Sequence, residues 1–153
     1  MRCASAVLLF AVAVTGTAGD DRFLAAPDTA RLTATEPIAE LRLGPIPDGP
    51  VIILVEIGVV RNPKRLPVSV GIALTNSARE VDPIPVSTVS LFPSDQPGSF
   101  ILRATQATQA LKRDLGQPNP KAVVRLTLIS AGQAMQGGGL LLDEIRASWM
   151  KEP

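Results

Sequence analysis

The apolar residues of this chain come in short runs that alternate with polar or small residues, and prolines or glycines separate the runs. In residues 68–75, Val68, Val70, Ile72 and Leu74 alternate with small or hydroxylated residues. Because successive side chains of a β-strand point to opposite faces, this pattern predicts a strand with one covered face. Most of the fourteen prolines lie between such runs, where they interrupt strand pairing least. The chain is therefore expected to be an all-β protein.

About seven such runs predict an antiparallel β-sandwich. They are residues 38–43, 51–60, 68–75, 86–92, 99–103, 123–130 and 140–149. The second run is apolar at odd and even positions alike, except at Glu56 and Gly58, which indicates a central strand covered on most of both faces. The fourth and fifth runs are expected to pair with each other.

One segment departs from the two-residue period and predicts a short helix at about residues 104–115. Its apolar residues recur at intervals of three and four: Ala104, Ala107, Leu111 and Leu115. Gly116 follows as the expected C-terminal cap, and Pro118 prevents continuation. We expect this helix to connect two late strands and to close one end of the core.

Residues 1–19 are typical of an export signal. Arg2 supplies a positive charge, residues 4–15 form a short apolar run, and small residues follow, so cleavage is expected after Ala18 or Gly19. The alternative is a retained membrane anchor, but the apolar run is shorter than the roughly 20 residues that cross a bilayer. We expect a periplasmic or secreted protein with no stable membrane insertion after cleavage.

The rest of the chain is expected to contain one domain. Residues 20–37 are polar and alanine-rich with two prolines, which predicts an irregular lead-in. Residues 38–149 hold all the predicted strands and are long enough for one hydrophobic core.

Histidine and tyrosine are absent from the sequence, and the only cysteine is Cys3, inside the predicted signal. Histidine is the commonest general base and metal ligand, and zinc, copper and iron sites are normally built from histidine and cysteine. We therefore expect no enzymatic activity, no cofactor, no metal and no disulfide. The net charge of +1, with no stripe of Lys and Arg, also predicts that nucleic acid is not a partner.

The remaining candidates for chemistry are weak. Gly137, Gly138 and Gly139 lack the following Lys-Ser/Thr and the helix of a phosphate-binding loop, and they predict a flexible hairpin loop. Asp143 and Glu144 are adjacent, so on a strand they point to opposite faces and cannot act together on one substrate. The serines have no histidine to activate them. The sequence contains no loop with the regularly spaced acidic residues of a calcium-binding loop, so no calcium site is expected.

The order of segments between residues 51 and 148 follows a recognisable pattern. It runs through Ile53-Leu54-Val55-Glu56-Ile57, a strand ending in Asn76, the segment 86–92, Gly98-Ser99-Phe100, Thr108-Gln109-Ala110-Leu111, the strand 123–128 and a last strand after glycines, 140–147. This order resembles the C-terminal β-sandwich domain that follows the copper domain in tyrosinases, polyphenol oxidases and molluscan haemocyanins. The chain is similar to that domain without the copper domain.

The resemblance implies an accessory role, because in that family the sandwich packs over the mouth of the copper site. A separate exported copy would bind a protein partner, and the resemblance implies a type-3 copper oxidase. The candidate contact residues are Leu91 and Phe92, at the apolar corner before Pro93. The alternative for Phe92 is packing in its own core. The alternative function is a sandwich that binds ligands or glycans of the cell envelope, although few aromatic side chains are available for sugar binding.

Overall fold

The computed structural model describes residues 28–78, 81–129 and 139–153. Within these residues lie eight strands and one helix. They are β1 (Ala30–Thr33), β2 (Ile38–Pro45), β3 (Val51–Arg61), β4 (Ser69–Asn76), β5 (Ile84–Ser90), β6 (Gly98–Arg103), α1 (Thr105–Leu115), β7 (Lys121–Ile129) and β8 (Leu141–Lys151). The predicted signal at residues 1–19 and the first part of the predicted lead-in lie outside the described residues.

The strands form two antiparallel sheets that pack face to face. The first sheet has the order β1-β8-β3-β6, and the second has the order β2-β7-β4-β5. Alternate residues of the central strands meet in one core between the sheets. They include Val51, Ile53, Val55, Ile57, Val70, Ile72, Leu74, Val124, Leu126 and Leu128. The prediction of an all-β sandwich with one short helix is confirmed.

β3 is the central strand that its apolar run predicts, between β8 and β6. Its inward residues, such as Ile53 and Val55, are fully buried. Its outward face is covered only in part, since Ile52 is buried, Leu54 is half-buried and Glu56 is exposed. The prediction was cover on most of both faces, and the exposed residues of the outward face before the end of the strand are Glu56 and Gly58, the two exceptions in the sequence pattern.

β1 lies inside the segment that was expected to be irregular, so the prediction for residues 20–37 is wrong at this point. Ala30 and Leu32 are buried, while Arg31 between them is exposed. The strand pairs with β8, where Leu32 lies opposite Leu142. A strand of four residues has too few positions for a two-residue period to stand out in the sequence.

β5 and β6 do not pair, contrary to the sequence prediction. β5 pairs with β4 at the edge of the second sheet, and β6 pairs with β3 at the edge of the first. The segment between them, residues 91–97, therefore crosses from one sheet to the other instead of forming a hairpin. The crossing begins at Leu91, whose amide donates to the carbonyl of Val68 at 3.0 Å.

The helix α1 begins one residue after the predicted start and ends as predicted. Its buried residues Ala107, Thr108 and Leu111 face the core. Gly116 adopts the left-handed conformation with φ of 61°, and its amide donates to the carbonyl of Arg113. A glycine takes this conformation without steric cost, which is why it ends the helix.

Candidate functional site

Phe92 is the most exposed large apolar side chain in the described part of the chain. It is 98% exposed, whereas its neighbour Leu91 is only 6% exposed and belongs to the core. The interpretation that packed Phe92 into the core is therefore wrong. The structure also separates the two candidate contact residues, because a buried Leu91 side chain cannot reach a partner directly. Leu91 anchors the segment from which Phe92 projects.

A β-bulge in β5 explains this outcome. Ile72 lies opposite Ser87 and Ala73 lies opposite Pro85, so Val86 is an extra residue in the pairing of β4 with β5. One extra residue reverses which side chains face the core. Val89 and Leu91 consequently point inward after the bulge, and Phe92 points to solvent.

The backbone around Phe92 is held by the buried side chain of Asn62, which is 4% exposed. Its Nδ2 donates to the carbonyl of Ser94 at 2.9 Å and to that of Leu66 at 2.8 Å. Its Oδ1 accepts from the amide of Leu66 at 3.0 Å. The turn after β3 and the crossing segment are thus joined by one side chain whose polar atoms are all hydrogen-bonded.

A groove of about 580 Å³ lies beside Phe92. It is called the Phe92 groove below, and its lining residues are Arg65, Pro67, Val68, Ser69, Ser90, Leu91, Phe92, Pro93, Ser94, Asp95 and Gln96. Arg65 Nε lies 3.2 Å from Asp95 Oδ2. Aromatic residues and arginine are enriched in protein–protein interfaces relative to the rest of a protein surface.

Phe92 could be predicted from the sequence as a candidate contact residue, but the residues that lie around it could not. Asn62 lies in a turn that follows β3, and the Arg65 amide donates to the Asn62 carbonyl at 2.9 Å to close it. Nothing in the sequence signals that this turn meets Ser94 and Asp95. The contact depends on which strands become neighbours.

Of the two adjacent carboxylates at Asp143 and Glu144, Asp143 forms an ion pair with Arg31. Arg31 Nη2 lies 2.8 Å from Asp143 Oδ2, and Asp143 Oδ1 accepts from the Glu144 amide at 2.8 Å. The hydrogen bond from Arg31 lowers the pKa of Asp143 below its ordinary value, and the Glu144 amide acts in the same direction. Asp143 is therefore an ionised partner of Arg31 at neutral pH and is unsuited to act as a general acid.

Two further observations concern the described residues alone. No group of three or more Asp, Glu, His or Cys side chains in residues 28–78, 81–129 and 139–153 is placed to hold a metal ion. Within the same part of the chain, no helix has the length and apolar character needed to cross a membrane. Gly137 and Gly138 of the predicted hairpin loop lie outside this part.

No protein-family model matches the sequence, and no curated protein matches it. Among solved structures, the chain is similar to a latent aurone synthase (polyphenol oxidase) from natural source, with 15% identity and a TM-score of 0.45. The match covers 84% of this chain and 28% of that one. An identity this low says nothing about function on its own.

Proposed function

We propose that this protein is an exported, non-catalytic β-sandwich that binds a protein partner through the Phe92 groove. The observation that carries the proposal is the 98% exposure of Phe92. An aromatic ring left in water gains roughly 1.5–3 kcal/mol when a partner buries it. Aromatic side chains are accordingly enriched among the residues that dominate binding energy.

The hydrogen bonds around Phe92 support a binding role over an accidental exposure. The Leu91 amide bonds to Val68, and Asn62 bonds to the Ser94 carbonyl, so the backbone on both sides of Phe92 is fixed before any partner arrives. Little conformational entropy is then lost on binding, which raises affinity for a given contact area. The ion pair of Arg65 and Asp95 supplies charged groups at the rim of the groove. They favour a partner that carries complementary charges at the facing positions.

The partner class that we propose is a type-3 copper oxidase. The support is the order of sequence elements over residues 51–148, which resembles the domain that covers the copper site in that family. The lack of histidine in the sequence agrees with a role in which the partner supplies the catalytic chemistry. In this role the sandwich limits the access of substrate or assists folding of the oxidase.

The test is titration of the purified protein against the copper domain of such an oxidase, prepared without its own C-terminal sandwich. Binding in the micromolar range or tighter is expected, and Phe92→Ala should weaken it at least about tenfold, since a central aromatic contact contributes more than about 1.4 kcal/mol. Ile38→Ala is the matched control, because Ile38 is also exposed but lies on β2.

Two results would contradict the proposal. If Phe92→Ala and the unchanged protein bind equally, Phe92 is not the contact. If no oxidase binds while a glycan array gives a signal, the protein belongs with the ligand-binding sandwiches.

A further inference from the structure

The open edge of β6 differs from the other sheet edges in the described part of the chain. Natural sheets protect their edges with short strands, bulges, prolines or charges, because an open strand can pair with another chain. β6 pairs with β3 without a register shift, contains no proline and carries a charge only at its last residue, Arg103. Ile101 in its middle is 67% exposed.

The other edges each carry a protective device. β1 has only four residues, including the charged Arg31. β2 carries Glu40 and Arg42 and has a register shift before Gly44. β5 contains Pro85 next to its bulge. The half of β8 that extends past β1 carries Arg146 and Lys151.

One hydrogen bond tells which backbone groups of β6 face the open side. The Ala104 amide donates to the Val51 carbonyl at 3.0 Å, and this pair continues the register in which Arg103 lies opposite Ile52. Backbone groups of an antiparallel strand turn to opposite sides at alternate residues. The amides and carbonyls of Ser99, Ile101 and Arg103 therefore point away from β3, toward the open edge.

We propose that two copies of this chain pair through their β6 edges in antiparallel orientation, about a two-fold axis at Ile101. In this register Ile101 lies opposite Ile101 of the second copy, and Ser99 lies opposite Arg103 of the second copy. All three outward-pointing residues of each strand are then used, which gives about six main-chain hydrogen bonds across the axis. The interface is self-complementary, as a two-fold axis requires.

The side chains on the outer face fit this register. Leu54 lies next to Ile101 in the sheet, so the joined sheets place Leu54, Ile101 and their two equivalents in one apolar row. Cross-strand apolar pairs of this kind stabilise a sheet. The pairing thus buries part of an apolar surface that a single copy leaves in water.

Charge complementarity selects a second copy as the occupant. Ser99 lies between the edge and the exposed Glu56, which is its neighbour on β3. Within one copy, Arg103 Nε lies 3.3 Å from Glu152 Oε1. In the pair, Arg103 of the second copy lies opposite Ser99, and its long side chain exchanges Glu152 for Glu56 by extending over this small residue. The two-fold axis repeats the same contact on the other side, so each copy contributes one acid and one base.

The first test is the oligomeric state in solution, measured by sedimentation over a range of concentrations. A dimer is expected for the unchanged protein. Ile101→Lys should shift it to a monomer, because two lysines would face each other on the axis, while circular dichroism shows that the fold is kept. Ile38→Lys is the matched control, since Ile38 is an exposed isoleucine on the edge strand β2, and it should remain dimeric.

A second test fixes the register. In a Cys3→Ser background, Ile101→Cys should form a disulfide between copies under mild oxidation, because facing residues lie about 5.5 Å apart, within disulfide range. Ser99→Cys and Arg103→Cys should each fail to cross-link alone and should cross-link when mixed. A monomer at all concentrations, or self-linking of Ser99→Cys, would overturn the proposal. These results do not depend on the partner proposed for the Phe92 groove.

Discussion

The side-chain nitrogen of Asn62 lies 2.9 Å from the carbonyl oxygen of Ser94, which is 32 residues further along the chain. This hydrogen bond ties the turn after β3 to the segment that carries Phe92. Because Asn62 is buried, water cannot readily replace the bond if the side chain is shortened. The same side chain therefore serves both the stability of the sandwich and the shape of the Phe92 groove.

Replacing Asn62 with alanine should lower the free energy of unfolding by about 2–3 kcal/mol, since the Ser94 carbonyl and the Leu66 amide lose their partner. Urea denaturation measures the effect. Gln96→Ala, at an exposed residue of the same groove, is the control and should change stability by less than about 0.5 kcal/mol. If Asn62→Ala and Gln96→Ala are equally stable, the hydrogen bonds of Asn62 make no net contribution to the free energy of unfolding.

Gly58 and Glu144 are expected to be energetically coupled. A Cβ atom at Gly58 would lie 3.1 Å from the Cβ atom of Glu144, so Gly58→Ala should destabilise the fold by about 1–2 kcal/mol through crowding. Glu144 has a positive φ of 51°, so Glu144→Gly should be neutral or stabilising. The double variant should recover part of the loss, and strictly additive effects in a double-mutant cycle would contradict the contact.

The pair of Arg31 and Asp143 predicts a dependence of stability on acid pH. The pKa of Asp143 is lowered in the folded protein by the hydrogen bond from Arg31, so the carboxylate stabilises the fold above its unfolded pKa of about 3.9. This stabilisation is lost as the pH falls through the lower, folded pKa. Asp143→Asn should therefore be less stable than the unchanged protein near neutral pH and equal to it in strong acid.

Thermal unfolding at about pH 7 and about pH 2.5 checks this sign. Asp82→Asn, which removes a carboxylate outside this ion pair, is the control. If Asp143→Asn is less stable than the unchanged protein by the same amount at neutral pH and in strong acid, the ionised carboxylate is not the cause of the difference.

Leu111 anchors α1 in the core, where its side chain is fully buried. Leu111→Ala should cost about 2–5 kcal/mol, through lost burial and the cavity left behind. Leu115→Ala provides the comparison, since Leu115 is half-buried at the end of the same helix and should cost less. Equal losses in denaturant would show that α1 packs less specifically than the structure indicates.

Seven of the eight strands and the helix could be predicted because their signals are local. The alternation in β4 and the three- and four-residue spacing in α1 depend only on which side chains meet the core. β1 was not predicted, because a strand of four residues is too short to show a clear two-residue period. The pairing of β5 with β6 was predicted wrongly because neighbours in sequence need not be neighbours in a sheet, and residues 91–97 cross between the sheets.

The fold class, the helix with its Gly116 cap and the apolar corner at Leu91 and Phe92 follow from local sequence patterns. Which of these two side chains reaches solvent depends on strand pairing, because the bulge at Val86 reverses the inward face of β5. The tertiary structure also brings Asn62 to Ser94 and places β6 at the edge of its sheet among the described residues. The period of apolar residues shows which face of a single segment is buried. These features depend instead on which distant segments pack together.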